Sequence, residues 1–410
     1  MYSKNKLKPV LSLFDAVNIA LGSIIGAGIF VIIGAAAGVA GPAVFLSVIV
    51  AAIVAILTGL TSAELSRRFP TSGGAYLFAK KTLSDSAGFI VGWVWLFSNI
   101  TVGATVAVGF AYYLKFFVPS MPTNIGAAIA VILATFIHLA GMKETSKINN
   151  LLVIIKILIL LFFVGSAVFF FKPSNFDPFL PFGFTGILAG AATIFFAYSG
   201  FARVAVIADE IKDPAKNVPK ATTLSILIST IIYVLVAAAA VGIAGYQLLS
   251  ESGSPLADAI NLEGISFGAS LVGFGALIAT GTVILASILG VSRLAQTMAS
   301  NKELPKPVSL IDKKTGVPKN SIILSGIGML LLALFADLPH IAYISSFSLL
   351  LYYAALNLSG IKIFKNSIKH VAILGLVSCL VLMFSLPILS WVVGFAVVLL
   401  GIIYYNFFVK

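Results

Sequence analysis

Long apolar stretches with almost no charge inside them constrain the fold of this sequence more than any other feature. Of 410 residues, 60% are hydrophobic and only 10% are charged, whereas soluble domains are about 45–50% apolar and about 25% charged. So few charges could not cover the surface of a soluble protein of this size. A bilayer-spanning helix needs about 20 apolar residues, and the stretches rarely show the alternation of a β-barrel strand. The sequence therefore predicts an all-α polytopic membrane protein.

Hydropathy, with Pro, Gly and charge clusters as boundaries, predicts twelve transmembrane helices. Their approximate spans are 14–40, 42–66, 86–118, 123–141, 148–171, 185–208, 221–245, 266–299, 320–336, 340–361, 371–387 and 389–408. The first span resembles a signal peptide, but its apolar stretch is longer than the usual 7–15 residues, so we predict a retained helix. No linker or low-complexity run divides the chain, which predicts a single transmembrane domain over residues 1–410.

Positive charge is distributed unevenly between the predicted loops. Of the 26 Lys and Arg residues, 22 fall on one side of the membrane, and only Lys115 and Lys172 fall on the other. The last two, Lys156 and Arg203, lie inside predicted helices. By the positive-inside rule, both termini are cytoplasmic and the protein is a multi-pass protein of the cell membrane. The net charge of +12 therefore indicates orientation and does not indicate a nucleic-acid partner.

Several functional classes find no support in the sequence. A single cysteine, Cys379, excludes an internal disulfide and a cysteine-based metal cluster, and the three histidines are scattered, so we expect no metal and no cofactor. The chain has no GxxxxGK[ST] sequence for ATP. It also has no nucleophile–base constellation at membrane depth and no TVGYG filter or acidic ring, so we expect neither an enzyme nor a channel. Because the chain lacks this ATP-binding sequence, a solute or ion gradient across the membrane would have to drive any transport.

The first helix contains three glycines within seven residues, Gly22, Gly26 and Gly28. Each glycine costs about 1 kcal/mol relative to alanine inside a helix, so the cluster needs a reason. One interpretation is close helix packing, since Gly22 and Gly26 form a GxxxG pair. The other is an unwound segment whose backbone groups face a polar solute.

A second interruption favours the unwound segment. In the sixth helix, a Ser-Gly step and then a charge interrupt an apolar run at 195–203. If the repeat is five helices, this helix corresponds to the first, and paired interruptions indicate a binding site at mid-membrane. The half-helix that begins near Gly28 would direct its positive dipole end at a carboxylate. Carbonyl groups near Ile24, Phe196 and Ser199 would suit an ammonium group. A site for a carboxylate beside a site for an ammonium group predicts an α-amino acid as the substrate.

Lys156 lies deep in the fifth helix, nine residues or about 13 Å from Lys147. It could cap carbonyls of a broken helix or reach the interface, or it could take part in a transport cycle, as intramembrane ionisable residues commonly do. All 14 acidic residues lie in loops or near helix ends. A proton carrier at depth would therefore have to be Lys156.

Arg203 follows the second interruption by three residues. It could form an inner gate with Asp209, Glu210 or Glu64, or it could only anchor its half-helix.

Three motifs resemble those of one family. Gly26-Ala27-Gly28-Ile29-Phe30 resembles a G-[SA]-G-I-F signature. Residues 64–76 resemble AEL-x-x-R-x-P-x-S-GG-x-Y, and residues 209–221 resemble an E-x-x-N/D-P…P-x-A loop. Over nearly its whole length the chain thus resembles the amino acid–polyamine–organocation (APC) superfamily. The resemblance implies a LeuT-type 5+5 inverted repeat with discontinuous helices 1 and 6, in a core of about 12–362, and two additional helices at about 371–408.

The resemblance also implies roles for individual residues. Backbone N–H groups of Gly26–Gly28 would hold the substrate carboxylate, while carbonyls of Ile24, Phe196 and Ser199 would receive the amine. Phe196 would be an aromatic lid and gate. Two further pocket positions are implied, Asn99 on the third helix and Ser287 on the eighth.

Lys156 matches a family lysine that takes the place of a sodium ion in sodium-coupled relatives. In proton-coupled members this lysine is thought to titrate, but exchangers carry it as well. Arg203 departs from the small or acidic residues that are commoner at its position. We therefore predict a secondary active permease that imports neutral or broad-range amino acids with protons, by alternating access in a lipid bilayer. An exchanger or a polyamine or organic-cation carrier is the alternative, and the oligomeric state is left open.

Overall fold

The computed structural model describes residues 10–69, 73–141, 146–312, 314–335, 337–365 and 367–409, except for the side chains of Ser146, Val206 and Asp209. Within these ranges the structure is helical, and its only strand-like pairing is an isolated bridge between Leu11 and Ile211.

Seventeen α-helices occur in the described ranges. In chain order they are α1 Leu13–Ile24, α2 Ile33–Ala40, α3 Val44–Arg68, α4 Gly74–Thr82, α5 Asp85–Phe117, α6 Thr123–Leu139, α7 Ser146–Phe170, α8 Gly183–Ile194, α9 Arg203–Val206, α10 Pro214–Glu251, α11 Pro255–Leu262, α12 Ser266–Ser300, α13 Lys306–Ser309, α14 Lys319–Phe335, α15 Leu338–Ile363, α16 Ser367–Phe384 and α17 Ile388–Tyr404. Other helical turns are 3-10 helices at Gly41–Ala43, Pro173–Phe176, Phe195–Ala202 and Ala208–Glu210, and π-helices at Gly28–Ile32 and Tyr405–Val409.

The helices supply twelve apolar membrane segments. By length and hydropathy, nine segments of the described chain could cross a membrane, and the first of them, Leu13–Arg68, has 56 residues. Fifty-six residues of helix are far longer than a bilayer is thick, and Gly41, with φ of 68°, reverses the chain between α2 and α3, so this segment holds two spans. The shorter apolar helices α6 and α14 complete the twelve. The predicted all-α polytopic fold is confirmed.

Most predicted span boundaries agree with the helices to within a few residues, and the seventh differs. Helix α10 begins at Pro214 instead of 221 and continues to Glu251 past Gly245, whose φ of 74° is not helical. The hydropathy boundary was wrong there because the first turns of α10 carry lysines and the helix extends beyond the apolar run.

Short polar signals fix where several helices begin. The Ser12 hydroxyl accepts a hydrogen bond from the Asp15 backbone N–H, and the Asp15 carboxylate accepts one from the Ser12 backbone N–H. This reciprocal capping box satisfies two backbone donors that the first turn of α1 would leave unpaired. Ser84 caps α5 with a single hydrogen bond, which its hydroxyl accepts from the Ala87 N–H.

Helix packing repeats with an offset of five membrane segments. Helix α3 packs on α10, α5 on α12 and α6 on α14, and the contact of α1 with α10 has its counterpart in that of α3 with α8. The short helices α4 and α11, which the sequence analysis did not predict, follow the second segment of each half. This is the arrangement expected of two inverted halves. Helices α16 and α17 pack outside it, against α15, α3 and α5.

The first turns of α1 pack against α9 and the segment that follows it. Ala16 and Ala20 of α1 form a small buried cluster with Val204, Ala208 and Val218. We call the side of the helix bundle on which α1 begins the N-terminal face. On this face the first and sixth membrane segments and the start of α10 form one packed unit.

Candidate substrate-binding site

The first membrane segment is broken near its middle. Helix α1 ends at Ile24, and Ile25 has an extended backbone with φ of −75° and ψ of 90°. The chain resumes as a π-helix over Gly28–Ile32 before α2 begins. The regular ladder of α-helical hydrogen bonds is therefore lost at 25–28, which leaves backbone groups for other partners.

The sixth membrane segment is also irregular, at the predicted position. Between α8 and α9 it winds as a 3-10 helix over the eight residues Phe195–Ala202. Runs of 3-10 helix longer than three or four residues are uncommon, because their hydrogen-bond geometry is poor. The predicted discontinuities of helices 1 and 6 are confirmed.

The two broken segments touch each other through glycines. A Cβ atom added to Gly28 would lie 2.2 Å from the Cβ and 2.4 Å from the Cα of Ala197, and one added to Gly200 would lie 2.4 Å from the carbonyl carbon of Ser23. Neither position has room for a side chain, so the backbones are in direct contact at two points. Close packing and unwinding, the two interpretations of the glycine cluster, thus occur together.

Lys156 of α7 reaches the break in the first segment. Its Nζ donates hydrogen bonds to the carbonyls of Gly22 and Ile25, both at 3.2 Å, and to Oγ1 of Thr282 in α12 at 2.6 Å. The side chain is 1% exposed. Lys156 therefore caps carbonyls that the break has freed, and it ties the end of α1 to α12. Sequence reasoning missed Thr282, which looks like any small polar residue of a membrane helix.

Three buried tyrosines cap further carbonyls of the broken segments. The hydroxyl of Tyr233 donates to the Ile24 carbonyl at 2.6 Å, and that of Tyr353 donates to the Ser199 carbonyl at 2.9 Å. A third hydroxyl, that of Tyr113, donates to the carbonyl of Phe30. Two of the three carbonyls predicted to receive the substrate amine thus accept tyrosine hydrogen bonds. Each carbonyl oxygen has two lone pairs and can accept a second donor.

A small cavity lies beside the point where the broken segments cross. Its volume is about 20 Å³, and its wall includes Ser23, Ser199, Asn99, Trp95, Tyr353 and Arg203. This volume holds about one water molecule. An amino acid would fit only if the surrounding helices moved apart, so the structure shows a closed form of this region.

Of the remaining predicted residues, Asn99 lines this cavity, and Phe196 and Ser287 are not among its lining residues. The Asn99 side-chain amide donates to the Trp95 carbonyl at 3.0 Å. Phe196 is buried in the adjacent core. Ser287 lies one helical turn beyond Val283, a residue of the cavity wall, and its buried hydroxyl has no hydrogen-bond partner among the described residues.

Glu64 was one of three acidic residues considered as partners for Arg203. Oε1 of Glu64 lies 3.1 Å from Nη2 of Arg67 and 3.7 Å from Nε of Arg68. The carboxylate of Glu64 is thus engaged within its own helix, and Arg203 is one of the residues that line the cavity.

The motif after the second membrane segment forms a separate polar cluster on the N-terminal face. Tyr76 donates to the buried carboxylate of Glu303 at 2.7 Å, Lys80 pairs with the same carboxylate, and Asn301 donates to the Tyr76 hydroxyl. Burial opposes the charged form of Lys80, but the hydrogen bond and charge of Glu303 raise its pKa above the usual value. The cluster joins α4 to the end of α12 and lies away from the cavity.

These features define a class of protein. Twelve apolar segments, a five-segment repeat and two broken helices that cross at a central cavity are the architecture of a secondary transporter. The chain belongs to the amino acid permease family. The model of this family, described as "Amino acid permease", matches residues 15–410. The resemblance to the APC superfamily is thereby confirmed.

Curated relatives differ in their named substrates. The chain is 32% identical to the branched-chain amino acid permease BcaP of Bacillus subtilis, over 77% of this chain and 72% of the relative. It is 31% identical to the methylthioribose transporter of the same organism, over 95% and 91%. It is 30% identical to cationic amino acid transporter 4 of Mus musculus, over 85% of this chain and 59% of the relative. One of the three relatives is named a permease and the other two are named transporters.

Proposed function

We propose that this amino acid transporter imports its substrate together with protons, and that Lys156 is the proton carrier. The observation that carries the proposal is the position of the Lys156 ammonium on two carbonyls of the broken helix and on Thr282. We further propose that residues 1–410 form one permease domain, with the inverted-repeat core over about 12–362.

The substrate would bind between the two broken segments. Backbone N–H groups of Gly26–Gly28 would hold the carboxylate at the start of a half-helix, where the helix dipole favours negative charge. Carbonyls of Ile24, Phe196 and Ser199 would receive the ammonium. Tyr233 and Tyr353 support this role, because their hydroxyls satisfy two of these carbonyls when the region is closed.

Proton loss from Lys156 would release the end of α1. In its charged form Lys156 makes charge-assisted hydrogen bonds, which are roughly twice as strong as neutral ones, and these hold α1 against α12. Neutral Lys156 would hold the helices less tightly. The first, second, sixth and seventh membrane segments could then rotate against the others and open the N-terminal face, which we assign to the cytoplasm. Phe196 would close over the substrate on the opposite side.

The coupling role is tested with the Lys156→Met variant in proteoliposomes. An inwardly directed proton gradient should stimulate amino acid uptake by the wild-type protein at least about tenfold. K156M should lose this stimulation but should still bind the amino acid. Lys147→Met is the matched control, because Lys147 is an exposed lysine near the start of the same helix. Proton-driven uptake that persists in K156M would refute Lys156 as the carrier.

One observation favours an exchanger as the second candidate. Gly22, Ile25 and Thr282 together supply three acceptors, one for each N–H of a permanently charged Lys156 ammonium. A lysine that never titrates would be a fixed structural cation. Counterflow of amino acids without any dependence on pH, in the wild-type protein, would support exchange and exclude proton symport.

A further inference from the structure

Two adjacent asparagines of α7 lie between Lys156 and the N-terminal face. Asn149 precedes Lys156 by seven residues, which is two helical turns and about 10 Å, so both side chains lie on the same side of α7. That side packs on α1, because a Cβ atom added to Gly22 would lie 2.7 Å from Oδ1 of Asn149. The carbonyl of the same Gly22 accepts a hydrogen bond from the Lys156 ammonium. One residue of α1 therefore contacts both Asn149 and Lys156.

The second asparagine reaches the first turn of α1. Nδ2 of Asn150 donates a hydrogen bond to Oδ1 of Asp15 at 2.9 Å, and the other oxygen of this carboxylate accepts from Ser12. Asp15 is partly exposed, and the positive charge of Lys212, in the turn before α10, acts on its carboxylate. The Asp15 carboxylate thus lies where the interface between α1 and α7 reaches the N-terminal face.

Each asparagine also has one amide atom without a hydrogen-bond partner. Nδ2 of Asn149 and Oδ1 of Asn150 are buried, and neither forms a hydrogen bond within the described part of the chain. Buried polar atoms of this kind are rare in folded proteins, and ordered water commonly satisfies them. A donor and an acceptor on neighbouring residues supply two of the hydrogen bonds that a buried water needs. The interface between α1 and α7 is therefore suited to bind water beside these two amides.

We propose that Asn149 and Asn150 hold water through which Lys156 releases its proton to Asp15, and from there to the solvent beyond the N-terminal face. This inference rests on the proposed function, because it supplies the exit for the proton that Lys156 carries. Asn149 and Asn150 are then positioning residues, and Asp15 is the proton acceptor at the mouth of the exit route. None of these three residues lines the cavity, so the exit route is separate from the substrate site.

The proton transfer balances with water as its only further reactant. The Lys156 ammonium gives its proton to a bound water and becomes a neutral amine. The proton passes through the water to the Asp15 carboxylate, and the resulting carboxyl group releases it to the solvent. The amides of Asn149 and Asn150 keep their own protons and only hold the water by hydrogen bonds. Neutral Lys156 then binds the Gly22 carbonyl less strongly, so α1 can move away from α7 and admit more water to the exit route.

The test separates net transport from exchange in proteoliposomes. Net uptake driven by an inwardly directed proton gradient requires that Lys156 release its proton in every cycle. Counterflow of amino acid at equal pH requires only that the loaded protein move back and forth, because the proton can stay on Lys156. A blocked exit for the proton therefore slows net uptake and spares counterflow.

Two variants interrupt the exit route at different points. Asn149→Leu removes the amide at nearly equal size, and Asp15→Asn removes the proton acceptor. Asp15→Glu keeps the carboxylate, and glutamate is favoured at this position of a capping box. Ser12→Ala is the matched control, because it weakens the same capping box but leaves the Asp15 carboxylate and its hydrogen bond with Asn150.

We expect N149L and D15N to lose about tenfold or more of proton-driven uptake, since a positioned proton-transfer group commonly contributes at least that much to a rate. Both variants should keep counterflow, and D15E and S12A should keep both activities. Net uptake by N149L and D15N should also slow more in D2O than uptake by the wild type, because proton release then limits the rate.

A purely structural role would give a different pattern. If N149L and D15N lost net uptake and counterflow equally, with an unchanged effect of D2O, the asparagines and Asp15 would only hold the helices together, and the proposal would be overturned. D15N that keeps wild-type proton-driven uptake would overturn it even if N149L failed to fold.

Failure of the exit route and failure of the proposed function give different results. If a proton gradient drives uptake by the wild type and K156M abolishes this uptake, but N149L and D15N keep it, only the exit route is refuted. If a proton gradient does not drive uptake by the wild type, the proposed function is wrong and the exit route falls with it.

Discussion

At the scale of single residues, glycines set how closely the two broken helices approach. Gly28 lies against Ala197 and Gly200 lies against Ser23. In each case the neighbouring backbone occupies the space that a side chain on the glycine would need. Each contact pairs a glycine of one broken segment with the backbone of the other. The sequence pattern showed that the glycines matter, and the structure shows which neighbour each one meets.

Gly28→Ala should destabilise the protein. The added methyl group would lie 2.4 Å from the Ala197 Cα, so the backbones must separate, and overpacking of this kind typically costs about 1–3 kcal/mol. Thermal unfolding in detergent measures the change. Gly165→Ala is the control, because nothing among the described residues lies within 4 Å of its added Cβ in α7, and alanine should stabilise that helix by up to about 1 kcal/mol. Equal stability of G28A and G165A would contradict the close contact.

The tyrosine caps and Thr282 could not be predicted from the sequence. Lys156 is conspicuous because a charge in an apolar helix is costly, but a tyrosine in such a helix resembles core packing or an interfacial anchor. The hydrogen bond of Tyr233 to Ile24 joins residues 209 positions apart, and that of Lys156 to Thr282 joins residues 126 positions apart. Such pairs depend on the rotation of each helix about its axis, which hydropathy does not define.

Tyr353→Phe should remove the hydrogen bond to the Ser199 carbonyl. The expected loss is about 0.5–1.5 kcal/mol of stability, together with weaker substrate binding, because Tyr353 no longer holds the sixth segment in place. Tyr404→Phe on α17 is the control, since its ring stacks on Phe89 and its hydroxyl has no hydrogen-bond partner among the described residues. Thermal unfolding and ligand-induced thermal shift report both effects, and a Y353F protein that matches Y404F would refute the cap.

At the scale of elements, the long helices were predictable and the short ones were not. Twelve apolar runs of sufficient length fix twelve membrane segments. Helices α4 and α11 have nine and eight residues, too few for a hydropathy window, and lie in loops that carry glycine and serine. The Ser254-Pro255 start of α11 is the local signal that could have indicated it, because Pro favours the first helical turn.

The turn that leads into α14 should make stability depend on pH. The carboxylate of Asp312 accepts from the backbone N–H and the hydroxyl of Thr315 and pairs with Lys319, and these contacts lower its pKa to about 2. A lowered carboxyl pKa contributes stability above the unfolded-state value of about 3.9, and this contribution is lost as pH falls towards 2. The unfolding temperature of wild type should exceed that of Asp312→Asn at pH 6, and the difference should vanish near pH 2.

Glu251→Gln supplies the control for this turn, because Glu251 is an exposed carboxylate at the end of α10. A difference between wild type and D312N that is the same at pH 6 and near pH 2 would show that the turn does not depend on the charge of Asp312.

At the scale of the whole molecule, the sequence predicts the repeat and the distribution of positive charge between the two faces. It does not predict whether the helices around the cavity are open or closed. The offset of five segments follows from the matched interruptions. The cavity of about 20 Å³ shows a closed form, and closure depends on many small contacts between helices that are distant in the chain. The same contacts must change when substrate enters.

The orientation of the molecule can be tested because its natural cysteine is hidden. Cys379 is fully buried beside Thr58 and Asn357, so a membrane-impermeant maleimide should not label the wild-type protein in intact cells. Ser174→Cys adds an exposed thiol between α7 and α8, and Ser86→Cys adds one in the first turn of α5, on the N-terminal face. The strong excess of Lys and Arg on that face predicts that it is cytoplasmic. S174C should therefore be labelled in intact cells and S86C only after permeabilisation, and the opposite pattern would reverse both the orientation and the direction of the proposed import step.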